Sequence, residues 1–95
     1  MSTEPAPAPL KLGLFVTGAT ARSRRAVDNL KRFCDLYIED QYELEIVDLY
    51  RHPERAREAQ VVAAPTLIRF FPEPRRLAIG DLTDSRALKS LLMVT

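Results

Sequence analysis

Cysteine and histidine occur once each among the 95 residues, as Cys34 and His52, and tryptophan does not occur. A lone cysteine closes no disulfide within the chain and supplies no dithiol redox pair. One histidine and one cysteine also fall short of a zinc site of the usual kind, which would need ligands from another chain. An excess of either charge is missing as well. Fourteen Lys and Arg stand against 13 Asp and Glu, a formal net charge of +1, which supplies no drive toward nucleic acid or an anionic membrane surface. No apolar run approaches the roughly 20 residues of a membrane-spanning helix. Met1 to Pro9 has neither the basic start nor the apolar middle of a secretory signal. What is present, 46% hydrophobic and 28% charged residues, reads as one cytosolic globular domain with no metal and no cofactor.

Residues 1–9 alternate Ala and Pro and are expected to form a flexible arm, because proline lacks a donor and holds its predecessor extended. The domain is expected over 10–95. From Leu10 to Thr17, Leu10, Leu12, Leu14 and Val16 recur at every second residue with Phe15 on the other side. This predicts a strand covered on both faces and ended by Gly18. Val27, Leu30, Cys34, Tyr37 and Ile38 recur at three- and four-residue spacing, which predicts the longest helix over Thr20 to Ile38, with Thr20 or Ser23 as its N-cap. Glu43 to Tyr50 and Thr66 to Phe71 read as strands, with a short helix, Glu54 to Gln60, between them after Pro53. A fourth strand, Arg75 to Ile79, follows the Pro72-Glu73-Pro74 connection. The last helix opens at Leu82-Thr83 with Thr83 as N-cap and Leu88, Leu91 and Leu92 facing inward. The order β-α-β-α-β-β-α predicts a single α/β domain whose first two strands are parallel, through a right-handed crossover, and whose last two are antiparallel.

No catalytic constellation emerges from the residues. Cys34 lies on the apolar stripe of the long helix and reads as a buried small hydrophobe. His52 reads as a surface residue, and Asp48 as a strand-end cap or ion pair with no second group to complete an acid–base site. Tyr37, Tyr42 and Tyr50 read as partly buried packing residues and not as a base-stacking platform. Arg22, Arg24 and Arg25 fall in the first turn of the long helix, where the macrodipole makes each cation cost a few tenths of a kcal/mol. Such a cost without local compensation points to an acidic partner surface. Phe70 and Phe71, alternating on one strand, cannot both be hidden in so small a fold and point to a homo-oligomer, dimer or tetramer.

The element order, with Ala64-Pro65-Thr66 opening the third strand, resembles the thioredoxin fold, in which a cis proline occupies that place. Where thioredoxins carry Cys-x-x-Cys, this chain has Gly18-Ala19-Thr20-Ala21-Arg22-Ser23, without sulfur. Four segments, in order and at matching spacing, resemble the KaiB family of clock proteins more closely. They are LKLGLFVTGAT from Leu10, YELEIVDLYRHP from Tyr42, VVAAPTL from Val61, and the run P-x-P-R-R-x-x-I-G-D-L from Pro72 to Leu82.

The resemblance implies a non-enzymatic regulator that binds KaiC, a hexameric RecA-like ATPase with autokinase activity. It also implies two folds: a thioredoxin-like monomer that binds the ring, and a tetrameric resting form whose C-terminal half is refolded. Arg25 and Arg76 match basic positions that the family links to KaiC binding. With Arg22, Arg24 and Arg75 they form the expected partner-binding set. Pro65, Pro72, Pro74, Gly80 and Asp81 are expected to bound the segment that changes fold, where Val61 to Phe71 is an apolar run too short for periodicity to separate helix from strand. Two other readings stay open: a thiol enzyme working through Cys34 alone, and a KaiB-like sensor module acting on a histidine kinase. The Gly18 to Ala21 turn and the Phe70-Phe71 pair depart from the family's pattern and point to a divergent member, in a simpler KaiC-based or stress-timing system.

Overall fold

A computed structural model describes residues 9–38 and 41–92; apart from Pro9, the expected N-terminal arm lies outside them. Seven elements follow in the expected order: β1 (Leu10–Val16), α1 (Ala21–Tyr37), β2 (Tyr42–Asp48), α2 (Glu54–Ala59), β3 (Thr66–Phe71), β4 (Arg76–Ile79) and α3 (Ser85–Leu92). The four strands form one sheet in the order β2-β1-β3-β4. β1 and β2 are parallel, β1 and β3 antiparallel, and β3 and β4 antiparallel.

β1 is central, and the run Leu12 to Val16 is buried throughout. That is why it carries apolar residues on both faces where a one-sided strand would alternate. On one face Leu12, Leu14, Val16 and Leu67 pack with Ala26, Leu30, Phe33 and Cys34 of α1 and Leu88, Leu91 and Leu92 of α3. The opposite face has a smaller core of Phe15, Val47, Ile68 and Ala59 of α2. Arg55 ties α2 to β2 through two hydrogen bonds donated to the Glu45 carboxylate, at 3.0 and 2.6 Å. That contact holds the Glu45 carboxyl below the usual carboxylate range.

Of the two N-caps offered for α1, Thr20 is used: its Oγ1 accepts from the Ser23 amide at 3.2 Å. Ser23 is instead buried and accepts from the Thr17 amide at 3.3 Å. The last helix starts later than expected. Leu82 takes a positive φ of 63°, which interrupts any helix there. Asp84, not Thr83, is the cap, its Oδ1 accepting from the amides of Arg86 and Ala87. Thr83 turns its hydroxyl to Asp81. β2 ends at Asp48, two residues short of the expected limit, because the Asp48 carboxylate takes the Tyr50 amide and closes a turn.

The peptide bond before Pro65 is cis, as the fold resemblance implies, and so are those before Pro72 and Pro74. The β1–β3 register slips between Lys11 and Leu12, so that Phe70 is an extra residue in β3. The regular alternation expected of Phe70 and Phe71 therefore breaks at this bulge, and both rings stay half-exposed. The Phe70 ring lies over Gly13, where a Cβ would come within 2.9 Å of it and within 3.0 Å of the Phe15 ring.

Candidate docking surface

The N-terminus of α1, the start of β3 and the connection from β4 to α3 meet at one end of the sheet. Arg25 Nε lies 3.4 Å from the Asp81 carboxylate, and Asn29 Nδ2 donates to the Asp81 carbonyl at 2.8 Å. The Gly80 amide donates to the Pro65 carbonyl at 2.9 Å. The Thr83 hydroxyl, with Arg25 beyond it, holds the Asp81 carboxyl below the usual carboxylate range. Arg25, Pro65, Gly80 and Asp81, four residues singled out for two separate reasons, are thus neighbours. Arg22 and Arg24 are exposed at the start of α1, with Arg24 lining a cleft toward Ile46 and Asp48 of β2.

Gly80 has a φ of +116°, and a Cβ there would meet nothing within 4 Å. Glycine is required at this position by the backbone conformation and not by crowding. On the same end of the sheet Asp48 accepts from the Gly18 amide at 3.1 Å and the Tyr50 amide at 2.9 Å. The Tyr50 and Gly18 bonds lower its pKa. It is the strand-end cap expected from the sequence.

Arg75, Arg76, Pro72 and Pro74 do not join this cluster. They lie around the β3–β4 turn toward the other end of β3, about 10 Å away along the strand for Arg76 and farther for the prolines. The five arginines therefore form two groups. Arg75 is moreover engaged within the chain: it donates to the Ala59 carbonyl and, at 3.2 Å, to Gln60 Oε1, and stacks over the Phe70 ring at 5.9 Å. Its cation sits at the C-terminal end of α2, where the helix dipole favours it. Arg76 remains exposed.

Sequence reasoning missed Arg69, which is 3% exposed. Its guanidinium donates to the carbonyls of Leu91, at 2.8 Å, and Pro74, at 2.9 Å, while Nε has no partner. The available signal was an arginine in TLIRFF at the same alternation as Leu67. Cys34 is wholly buried, and desolvation, with the Asp35 charge second, pushes its thiol up to about 11. His52 is exposed, as expected. Of the three tyrosines, Tyr50 departs from the packing expected of it: it is 73% exposed, stacked against Gly18. Tyr37 is half-exposed, with its ring on Phe33 and Lys89 Nζ 5.1 Å from its centroid. Among the described residues no group of three or more His, Cys, Asp or Glu is placed to hold a metal ion, and no helix is long and apolar enough to cross a membrane.

This end of the molecule is where a thioredoxin keeps its thiols, with the cis proline opposite, yet here it offers three arginines and no sulfur. Fold and site together define a thioredoxin-like scaffold without the thiol pair of a thioredoxin. The scaffold is shared, at the level of fold alone, with yeast mitochondrial thioredoxin 3 (TM-score 0.71, 18% identity, 88% of this chain and 76% of that one). The N-terminal domain of Synechococcus elongatus SasA is nearer, at a TM-score of 0.77 and 25% identity over 98% of this chain and 91% of that one. The KaiB domain profile matches residues 13–94, and the circadian clock protein KaiB3 of Synechocystis sp. is 39% identical over 74 residues, 78% of this chain and 72% of that protein. The chain belongs to the KaiB family.

Proposed function

We propose that this protein is a clock-type regulator that docks, in its thioredoxin-like form, on the ring of a KaiC-type ATPase and modulates its phosphorylation or ATPase cycle. The observation that carries this reading is the α1 N-terminus. The turn that stands where thioredoxins carry their thiols leads directly into Arg22, Arg24 and Arg25, and Arg25 lies 3.4 Å from the Asp81 carboxylate. Arg25 is compensated within the chain by Asp81, whereas Arg22 and Arg24 are exposed cations at the positive end of a helix dipole, poorly placed for the helix and well placed for an acidic partner. Arg76 belongs to the same reading as a second, separate contact. The resting form, an assembly of four copies with a refolded C-terminal half, is part of the proposal, with Pro65, Pro72, Pro74, Gly80 and Asp81 bounding the segment that changes.

Size-exclusion chromatography of the protein with a cognate KaiC-type hexamer and ATP tests it. Co-migration is expected, weakened by Arg22→Ala and Arg24→Ala; no co-migration in any phosphorylation state of the ring overturns it. The likeness to the SasA domain supports a second reading, a sensor module for a clock histidine kinase, which capture of the kinase without capture of the ring would favour. The thiol-enzyme reading loses support, since Cys34 is buried and resists ionisation.

A further inference from the structure

The end of the sheet where α1 begins carries apolar surface that neither core uses. Tyr50 and Val62, 73% and 92% exposed, are the two most exposed large apolar side chains among the described residues. Tyr50 follows β2 and Val62 precedes β3, and the parallel β1–β2 and antiparallel β1–β3 pairings bring the end of β2 and the start of β3 to the same end of the sheet. Those strand ends stand about 10 Å apart, on either side of β1. The floor around them is small: β1 leads into Gly18 and the exposed Ala19, and Val62 is followed by the exposed Ala63. Charge borders this floor, since Arg24 lines a cleft with Gly18, Ala19, Asp28 and Asp48. Asp48 is spent on the amides of Gly18 and Tyr50, which leaves Asp28 against the cations of Arg22 and Arg24. Neither arginine forms an ion pair among the described residues.

Tyr50 is exposed without being loose. The Asp48 carboxylate accepts from the Gly18 amide at 3.1 Å and the Tyr50 amide at 2.9 Å, so one side chain clasps the two turns that leave β1 and β2. The ring then lies against Gly18, where a Cβ would come within 3.0 Å of it. An aromatic side chain held in this way has little freedom left to lose when a partner closes over it. A tyrosine standing on a low floor of small residues, with arginines at its side, has the make-up of a binding hot spot. We propose that Tyr50, with Val62 beside it, is the apolar anchor of the docking surface, and that the partner site it fits is an apolar pocket bordered by carboxylates. Tyr50 fills the pocket, and Arg22 and Arg24 meet the carboxylates. This rests on the docking reading given above and adds to it the shape and chemistry of the partner's site. The two kinds of contact divide the work: exposed cations speed the encounter, and the apolar anchor sets how long the complex lasts.

That division gives the test, in biolayer interferometry against an immobilised cognate KaiC-type hexamer with ATP. Tyr50→Ala is expected to dissociate at least about tenfold faster than the wild type, with its association rate and the salt dependence of that rate within about twofold. Arg22→Gln with Arg24→Gln is expected to do the reverse, slowing association and flattening its salt dependence. Tyr50→Phe, which keeps the ring, is expected to dissociate like the wild type, and Val62→Ser to dissociate faster by a smaller factor than Tyr50→Ala. Leu36→Ala is the control, since Leu36 is 68% exposed near the far end of α1. Its kinetics are expected to match the wild type. Thermal melts of Tyr50→Ala and Val62→Ser are expected to superimpose on the wild type, because both side chains already stand largely in water. A wild type that binds while Tyr50→Ala dissociates no faster, or a Leu36→Ala protein that dissociates as fast as Tyr50→Ala, overturns the anchor and leaves the docking reading standing. A wild type that does not bind the ring overturns the docking reading and the anchor with it. The two failures are thus read from different samples.

Discussion

A single residue, Cys34, gives the protein a measurable response to alkali. Its thiol pKa rises from an ordinary value of 9.0 to about 11 because burial disfavours the thiolate. The unfolded chain therefore loses this proton first. Stability linked to the group is complete below pH 9 and falls as pH rises from 9 to 11, by up to about 3 kcal/mol. Urea unfolding across this range is expected to show a steeper loss in the wild type than in Cys34→Ala. Parallel curves would mean that the thiol ionises freely. Arg69 is the other residue whose environment decides its role. Its buried guanidinium joins the end of α3 to the β3–β4 turn through two carbonyls. Arg69→Met leaves these acceptors without their donors and is expected to cost about 1 to 3 kcal/mol in urea unfolding. The alternation of Arg69 with Leu67 was the only hint in the sequence, because an arginine among apolar residues reads as a surface position until the helix end that receives it is known.

Elements were far more legible than their limits. Periodicity reveals β1, α1 and α3, and residue propensity with the bounding prolines supplies α2, β3 and β4, since each signal depends on residues close in the chain. The α3 boundary was not legible: Thr83 and Asp84 are both good caps, and the choice falls to Asp84 because Leu82 takes a positive φ and Thr83 bonds to Asp81. Asp84→Ala is accordingly expected to destabilise the protein by about 1 kcal/mol, and Thr83→Ala by less. Thermal melts of the two variants compare them directly. A larger loss from Thr83→Ala would place the cap one residue earlier. The bulge at Phe70 was equally hidden, because it is a property of the β1–β3 pairing and not of either strand.

For the molecule as a whole, the arginines fall into two groups at opposite ends of the sheet, and within the second group Arg75 is engaged in the chain while Arg76 is exposed. The arginines, Pro65, Gly80 and Asp81 were named from the sequence, whereas the part played by Asn29 and the division into two groups were not, since they depend on contacts between distant segments. Arg22→Gln with Arg24→Gln removes two charges from the positive end of α1. This double variant is expected to gain a few tenths of a kcal/mol per site in urea unfolding. It should also bind a KaiC-type ring more weakly, with a shallower dependence on salt. Capture at several ionic strengths measures both effects. Unchanged affinity together with an unchanged salt slope would remove this end of the molecule from the docking surface. The slot that Gly13 opens for the Phe70 ring has a consequence for descent. Any side chain gained at 13 must displace one of two rings, and that of Phe15 is wholly buried. Positions 13 and 70 are therefore free to drift only together: among this protein's descendants, a residue other than glycine at 13 belongs with a smaller residue at 70.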